Sequence, residues 1–267
     1  MNIQIVTSDN NPQIREMAVL LTPRGRKKSG TFLVEGFKVV REAALAGLPI
    51  KRLAVQNEVI ESDRTRELLK MEQLKDVQVL KVPRVLIKKL STVETPQGIV
   101  AEIKRPEAVP AEPPVTGVSL ACECIQDPRN LGMLVRTAHA AGVRHVFLGH
   151  GSVDSLHPHV INSSAGSIFH VAVQTECEMP ELLKAAKKKG AEVWATAAAG
   201  GEALPQAAAG AGGGIVLLFG NEGAGLSPEL KKIADRRVTI PMPGGAESLN
   251  IAAAAAVIMF YVLMKNS

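Results

Sequence analysis

The sequence predicts an α/β protein whose second half holds a parallel sheet, preceded by a smaller α/β domain. Three observations predict it. Aromatic residues make up only 3% of the 267, so the core must rest on Ala, Val, Ile and Leu rather than on the interior of an aromatic-rich β-sandwich. Strand-length apolar runs alternate with helical patterns through residues 117–267, the spacing of βαβ units. Between them Pro106, Pro110, Pro113 and Pro114 crowd one stretch, where fixed φ and missing donors rule out a continuing helix or central strand. The expected organisation is therefore a domain at 1–105, a proline-rich linker at 106–116 and a second domain at 117–267. A composition of 46% hydrophobic and 21% charged residues excludes a disordered chain.

In the first half, residues 11–21 read as a helix, with Ile14, Met17, Ala18 and Leu21 on one stripe. Residues 24–30 read as a basic loop bounded by glycine. Residues 31–34 are a strand and 36–46 a helix ended by Gly47 and Pro49. Strand signals return at 52–55, 77–82 and 98–103, with helices near 61–74 and 83–90. In the second half, 118–125 is a buried strand, 130–141 a helix and 145–148 a strand. A short helix at 159–164 precedes extended chain at 168–173. A helix–strand pair follows at 180–189 and 191–196, and residues 204–214 read as an Ala/Gly-rich loop. Then come a central strand at 215–219, a helix at 228–234, a strand at 238–240 and a final helix at 249–264. Strands separated by helices of this length form a parallel sheet covered on both faces.

Charge is uneven. Residues 1–105 carry 19 Lys/Arg against 12 Asp/Glu, or +7, whereas 106–267 carry 12 against 14, or −2, matching the overall +5. A basic first half suits a polyanionic partner, and a solvated basic surface is the bland alternative. Cys122, Cys124 and Cys177 are too few for a disulfide framework and lack a second ligand pair at zinc spacing, so they read as buried structural thiols of a reducing compartment. His157 and His159 read as surface or helix-start residues rather than ligands, and no metal is expected. Residues 1–10 lack the pattern of a signal peptide, and the apolar stretch 251–264 is too short to span a bilayer, so a cytoplasmic protein is expected.

Three loops at predicted strand ends carry the chemistry, because open α/β sheets bind ligands beyond the carboxyl ends of their strands. The first is Asp127-Pro-Arg-Asn-Leu-Gly-Met-Leu-Val-Arg-Thr-Ala138, in which Asn130 opens a helix and Arg136 follows six residues later. Each has a plain reading, as an N-cap and a surface cation. The second is Phe219-Gly-Asn-Glu-Gly-Ala-Gly-Leu-Ser227, where a strand runs into Gly220, Gly223 and Gly225 around Glu222. Glycines let backbone approach a ligand, or simply make a turn. The third is Ile240-Pro-Met-Pro-Gly-Gly-Ala-Glu-Ser-Leu-Asn250, with Ser248 expected to cap the last helix. Neither Gly-x-Gly-x-x-Gly nor a Gly-Lys-Ser/Thr phosphate loop is present, which counts against a nucleotide-dependent oxidoreductase or an NTPase.

In order and spacing, these three loops resemble the signature motifs of the SpoU family, the TrmH-like RNA 2′-O-ribose methyltransferases. Thr31-Phe-Leu-Val-Glu-Gly-Phe-Lys38 is similar to the start of that family's RNA-binding extension. The resemblance implies an α/β sheet with a deep trefoil knot near the C-terminus, and homodimers whose active sites combine residues of both chains. It implies S-adenosyl-L-methionine as methyl donor, held bent through contacts at Gly220, Ile240 and Leu249 with Met242 lining the pocket. Asn130, Arg136, Glu222, Ser248 and Asn250 match the positions the family uses for catalysis and RNA placement. A guanidinium holds its proton too tightly for a literal base, so Arg136 is expected to orient a phosphate and stabilise the developing alkoxide. Arg24, Arg26, Lys27 and Lys28 are expected to contact phosphates, and the extension favours ribosomal over transfer RNA. Asn162 stands where many members carry a basic residue. A non-catalytic RNA-binding or ribosome-assembly factor on the same scaffold is the alternative, and it would not need Arg136, Glu222, Ser248 or Asn250.

Overall fold

The structure is a computed structural model that describes residues 3–106, 113, 116–209 and 213–266. Most of the predicted linker, and residues 210–212 of the predicted Ala/Gly loop, lie outside the described residues. The chain divides into two compact units. One comprises Met1–Glu107 with Leu156–Phe169, the other Ala108–Ser155 with His170–Ser267.

In the first unit a five-stranded mixed sheet has the order β1 (Ile3–Ile5), β4 (Gln78–Val82), β3 (Ile50–Gln56), β5 (Ile99–Lys104), β2 (Thr31–Glu35). The first three run parallel, and β5 is antiparallel to both its neighbours. Helix α1 (Pro12–Val19) starts where the Asn11 side chain accepts from the amides of Gln13 and Ile14. It buries Ile14 and Met17 against Leu33, Ala54, Leu80 and Val100 of the sheet and Leu86 and Ile87 of α5 (Arg84–Lys89). Helix α3 (Phe37–Leu45) buries Val39, Val40, Ala43 and Ala44. The predicted helix at 61–74 breaks into α4 (Asp63–Leu69), capped by Ser62, and a 3₁₀ turn at Glu72–Leu74. One charge cluster lies inside this unit: Glu102, only 2% exposed, pairs with Arg52 (2.5 Å) and Lys51 (3.1 Å) and accepts from the Thr31 hydroxyl (3.0 Å).

The predicted basic loop at 24–30 is a helix, α2 (Pro23–Ser29). Thr22 accepts from the Gly25 amide, Pro23 occupies the first turn, and Gly30 closes the helix at φ 65°. Gly25 is required here, because a Cβ at that position would lie 2.0 Å from the Val19 carbonyl oxygen.

The second unit is built on a seven-stranded sheet with the order β10 (Glu202–Ala203), β12 (Arg236–Thr239), β9 (Glu192–Thr196), β11 (Gly214–Phe219), β6 (Gly117–Cys122), β7 (His145–Gly149), β8 (Ala172–Cys177). Every recorded pairing is parallel. All six residues of β11 are buried at its centre, as the apolar run Ile-Val-Leu-Leu-Phe requires. Helix α6 (Pro128–Ala140) packs against α11 (Ile251–Asn266), which buries Ala252, Ala255, Ile258, Met259 and Val262. Alanines on that face permit close approach of the two helices. On the other face of the sheet α8 (Met179–Lys188) and α10 (Pro228–Ile233) cover Ala121, Phe147, Val193 and Leu218. The predicted loop at 204–214 contains α9 (Leu204–Ala209).

Between β7 and β8 lies α7 (Pro158–Ser164), which groups with the first unit. His157 caps it, its Nδ1 facing the His159 amide at 3.2 Å. The stretch read as extended at 168–173 begins instead with a 3₁₀ turn, Ser167–Phe169, whose Phe169 ring lies 6.4 Å from that of Phe32. Gly166, at φ 91°, sits against Glu42 so closely that a Cβ would come within 2.7 Å of that side chain. Gly166 thus serves packing.

Candidate methyl-donor and catalytic site

The carboxyl ends of β9, β11 and β12 open onto one cleft of about 620 Å³ in the second unit. Its wall is assembled from three stretches: residues 196–198 after β9, the glycine loop after β11, and the segment between β12 and α11. This is where parallel sheets place their sites, since helices following strands leave the strand ends uncovered.

The glycine loop has a defined shape. Gly220 lies so near the returning chain that a Cβ would be 2.3 Å from the carbonyl carbon of Gly225. Asn221 fixes the turn. Its backbone amide donates to the carbonyl of Gly225 (3.1 Å), and its own carbonyl accepts from the Gly225 amide (2.9 Å). Its side-chain oxygen accepts from the amides of Gly223 (2.9 Å) and Ala224 (3.0 Å), and its Nδ2 donates to the carbonyl of Cys124 (2.9 Å). Beyond the turn, the Ser227 amide donates to the Glu123 carboxylate (2.8 Å). The loop is thereby tied to the chain leaving β6.

Glu222, presented by that turn, faces the start of α6. Its carboxylate accepts from the amides of Gln126 (3.4 Å) and Asp127 (3.5 Å) and from Asn130 Nδ2 (3.2 Å). A carboxylate is favoured there, where unpaired amides and the helix dipole supply positive potential. Asn130 Oδ1 in turn accepts from Asn250 Nδ2 (2.8 Å), and Asn250 Oδ1 accepts from the Ala252 amide (2.9 Å). The last bond settles both amide orientations: with its oxygen on a backbone N–H, Asn250 must turn Nδ2 to Asn130, leaving Asn130 Nδ2 for Glu222. One hydrogen-bond chain links all three sequence motifs.

Of the nine predicted catalytic and donor-binding residues, eight line this cleft: Asn130, Glu222, Ser248 and Asn250 together with Gly220, Ile240, Met242 and Leu249. Arg136 does not. It is exposed on α6, six residues beyond Asn130, which puts it about 9 Å along the axis and roughly 120° around the helix. Within one chain the two side chains therefore do not meet at this cleft. Two cap assignments also change. Asp127 caps α6 by accepting from the Arg129 amide (2.7 Å), and Asn250 rather than Ser248 caps α11. Arg26 needs the largest correction. It is 4% exposed, and its Nη1 donates to the carbonyls of Leu20 (3.0 Å) and Leu21 (3.1 Å), so it closes the end of α1 rather than meeting a phosphate. Arg24, Lys27 and Lys28 are exposed.

Sequence reasoning missed Thr196, Asn221 and Glu123. Thr196 ends β9 at the cleft, with its hydroxyl donating to the Leu218 carbonyl (3.0 Å). Position at a strand's carboxyl end was the available signal for it. Cys122 and Cys177 are buried, and burial pushes both thiols up, with the Glu222 charge adding to the effect at Cys122. Cys124 lies beyond the end of β6 at φ 56° and is half-buried, so the strand expected at 118–125 stops before it and its thiol is not fully buried. Among the described residues no group of three His, Cys, Asp or Glu converges as a metal site. No described helix is long and apolar enough to cross a membrane.

The cleft fits a nucleoside-sized donor. Its volume falls within the range of roughly 300–1,000 Å³ usual for small-molecule sites. Phe219, Leu226, Ile240, Met242 and Ile258 offer apolar surface for a purine, Gly220, Gly223 and Gly225 leave main chain accessible, and Glu222 and Glu247 give the lining a negative charge that would suit a cationic donor.

Comparison with known proteins agrees with this geometry. The SpoU rRNA Methylase family matches residues 117–260, and an MRM3-like substrate binding domain matches residues 11–101. Over 260 residues the chain is 32% identical to the 23S rRNA (guanosine(2553)-2′-O)-methyltransferase RlmP of Bacillus subtilis, covering 96% of this chain and 98% of that one. An rRNA methyltransferase from Sinorhizobium meliloti superimposes with a TM-score of 0.85 at 26% identity over 98% of both chains. The SpoU methyltransferase AviRb from Streptomyces viridochromogenes, solved with the cofactor AdoMet, gives 0.83 at 25% identity over 96% of this chain and 98% of its own. The chain belongs to the SpoU rRNA methylase family and is an S-adenosylmethionine-dependent RNA 2′-O-ribose methyltransferase.

Proposed function

We propose that this enzyme methylates one ribose 2′-hydroxyl of 23S ribosomal RNA, acting as a cytoplasmic homodimer in which residues 1–105 hold the RNA and residues 117–267 carry the chemistry. The observation that carries the reading is the single hydrogen-bond chain Glu222–Asn130–Asn250, which draws all three motifs onto one cleft of donor size. The 23S specificity rests on the relative from Bacillus subtilis, whose match extends through both units. The family's trefoil knot belongs to the same reading.

When bound, S-adenosylmethionine would supply an electrophilic methyl group on cationic sulfur for the ribose 2′-oxygen. The protein's task is chiefly alignment. Glycine-loop main chain and the apolar wall hold the donor and keep water from its methyl. Glu222 locks the loop to α6. Ser248, whose hydroxyl has no cap to serve, is available to the RNA. Arg136 orients a phosphate and stabilises charge growing on the 2′-oxygen. Because it lies outside its own chain's cleft, it serves the site of the second subunit. An exposed apolar stripe on α11, Val257, Phe260 and Met264, supports such a pairing.

Tritium transfer from labelled S-adenosylmethionine to fractionated RNA tests the reading. Label is expected in 23S rRNA, at a linkage resistant to alkali, and label confined to transfer RNA would overturn it. Arg136→Ala should lower transfer about 100- to 1,000-fold, the usual cost of one transition-state donor, with donor binding kept. Mixing Arg136→Ala with Asn250→Ala chains should restore part of the activity, since one site per mixed dimer is intact. Without such rescue the shared site is wrong.

A further inference from the structure

Arg24, Lys27 and Lys28 stand at i, i+3 and i+4 on α2, hence on one face of that helix. All three are exposed, while Gly25 and Arg26 take the buried face. The helix ends at Gly30, whose carbonyl accepts from the Arg105 amide (2.8 Å), and Lys104 pairs with Thr31 in the β2–β5 register. The chain thus brings Lys104 and Arg105, both exposed, to the end of the sheet where α2 terminates. None of these five cations has a carboxylate partner among the described residues. Lys51, Arg52, Arg66, Lys75 and Lys89 of the same unit do have one, while Lys38, Arg41, Lys70, Arg84 and Lys88 stand, like the rim, without one among the described residues, so it is the clustering of the five at one sheet end that sets them apart.

Like charges on one short helix face repel. Their attraction to the negative helix end offsets part of this, but Lys104 and Arg105 on the neighbouring strand end add to the field without that compensation. A polyanion relieves it.

We infer that Arg24, Lys27, Lys28, Lys104 and Arg105 form one rim that grips the phosphate backbone of the substrate RNA, with Arg26 fixing the α2 face from inside. The inference rests on the ribosomal RNA reading above and adds where the RNA is held. Contacts of this kind set register rather than sequence preference. They also release counterions, so affinity falls with salt in proportion to the phosphates neutralised.

The test is the salt dependence of binding and of methyl transfer with a 23S rRNA fragment. The enzymes compared are the wild type, Lys104→Gln/Arg105→Gln, Lys27→Gln/Lys28→Gln, and Lys88→Gln, which removes one exposed charge from α5. Each rim substitution should reduce the slope of log affinity against log salt by roughly 0.7–0.9, raise KM for RNA, and leave both kcat and donor affinity unchanged. Lys88→Gln should leave the slope at the wild-type value. Equal slopes in the wild type and the Lys104/Arg105 double variant would overturn the rim, as would a loss in Lys88→Gln as large as that per rim residue. Failure of the function reading looks different: the wild-type enzyme itself would not label the fragment.

Discussion

At the scale of single residues, the spacing of motifs indicated which side chains meet but not which bonds they make. Loops at strand ends in a parallel sheet share one rim, and Asn130, Glu222 and Asn250 were legible as a group through the resemblance to the family's motifs. Their hydrogen bonds were not, since several polar residues near a helix start compete for the same free amides. Ser248 is a good cap by type, yet Asn250 stands next to Ile251 and takes the Ala252 amide. A consequence is testable by urea unfolding. Asn250→Ala should cost about 0.5–2 kcal/mol, the usual value of a lost cap, and it also strands the Asn130 side-chain oxygen. Ser248→Ala should lie within about 0.5 kcal/mol of wild type, as surface changes do, while still lowering transfer. Equal destabilisation by the two would show that the cap lies elsewhere. Arg26 was misplaced for a related reason. In a run of four cations within five residues, only helical geometry tells which one turns inward.

Individual elements show the same division. The strong apolar strand β11 and the amphipathic α1 and α8 were legible because periodicity records burial directly. Helix α2 was hidden by its basic run, although Thr22, Pro23 and Gly30 are a cap, a first-turn proline and a left-handed stop in sequence. Strand β1 is three exposed residues long and leaves no alternation to read. In the glycine loop, glycine content announced a close backbone approach or a turn but not what holds it, and the structure shows a turn clamped by five hydrogen bonds from one residue. Asn221→Asp separates clamping from folding. It keeps the oxygen that accepts from Gly223 and Ala224 but replaces the donor to Cys124 with a carboxylate facing a carbonyl oxygen. The expected result is donor affinity reduced about 10-fold or more, the effect of roughly 1.4 kcal/mol, with RNA affinity unchanged. Full donor affinity in this variant would mean that the Cys124 tie does not shape the cleft.

For the whole molecule, the basic first half and slightly acidic second half suit the proposed division of labour between holding RNA and holding a cationic donor. Charge indicated that division without locating either surface. The distribution of apolar surface carries the last step. Helix α11 is apolar nearly all round, which usually means burial on every side, yet Val257 (43% exposed), Phe260 (42%) and Met264 (72%) face outward at i, i+3 and i+7. A second chain covering this stripe would bury it and also bring an Arg136 to each cleft. Phe260→Glu places a charge on the stripe without touching the α11 core residues Ala255, Met259 and Val262. Light scattering at low micromolar concentration should show a dimer for the wild type and a monomer for the variant, with thermal stability lowered only by the lost association. On the proposed shared site, transfer should fall as far as in Arg136→Ala, and with the RNA held by the first unit, as proposed, RNA affinity should hold. A monomeric Phe260→Glu enzyme with wild-type turnover would show that each chain completes its own site, and Arg136 would then have to reach its cleft by a rearrangement of α6.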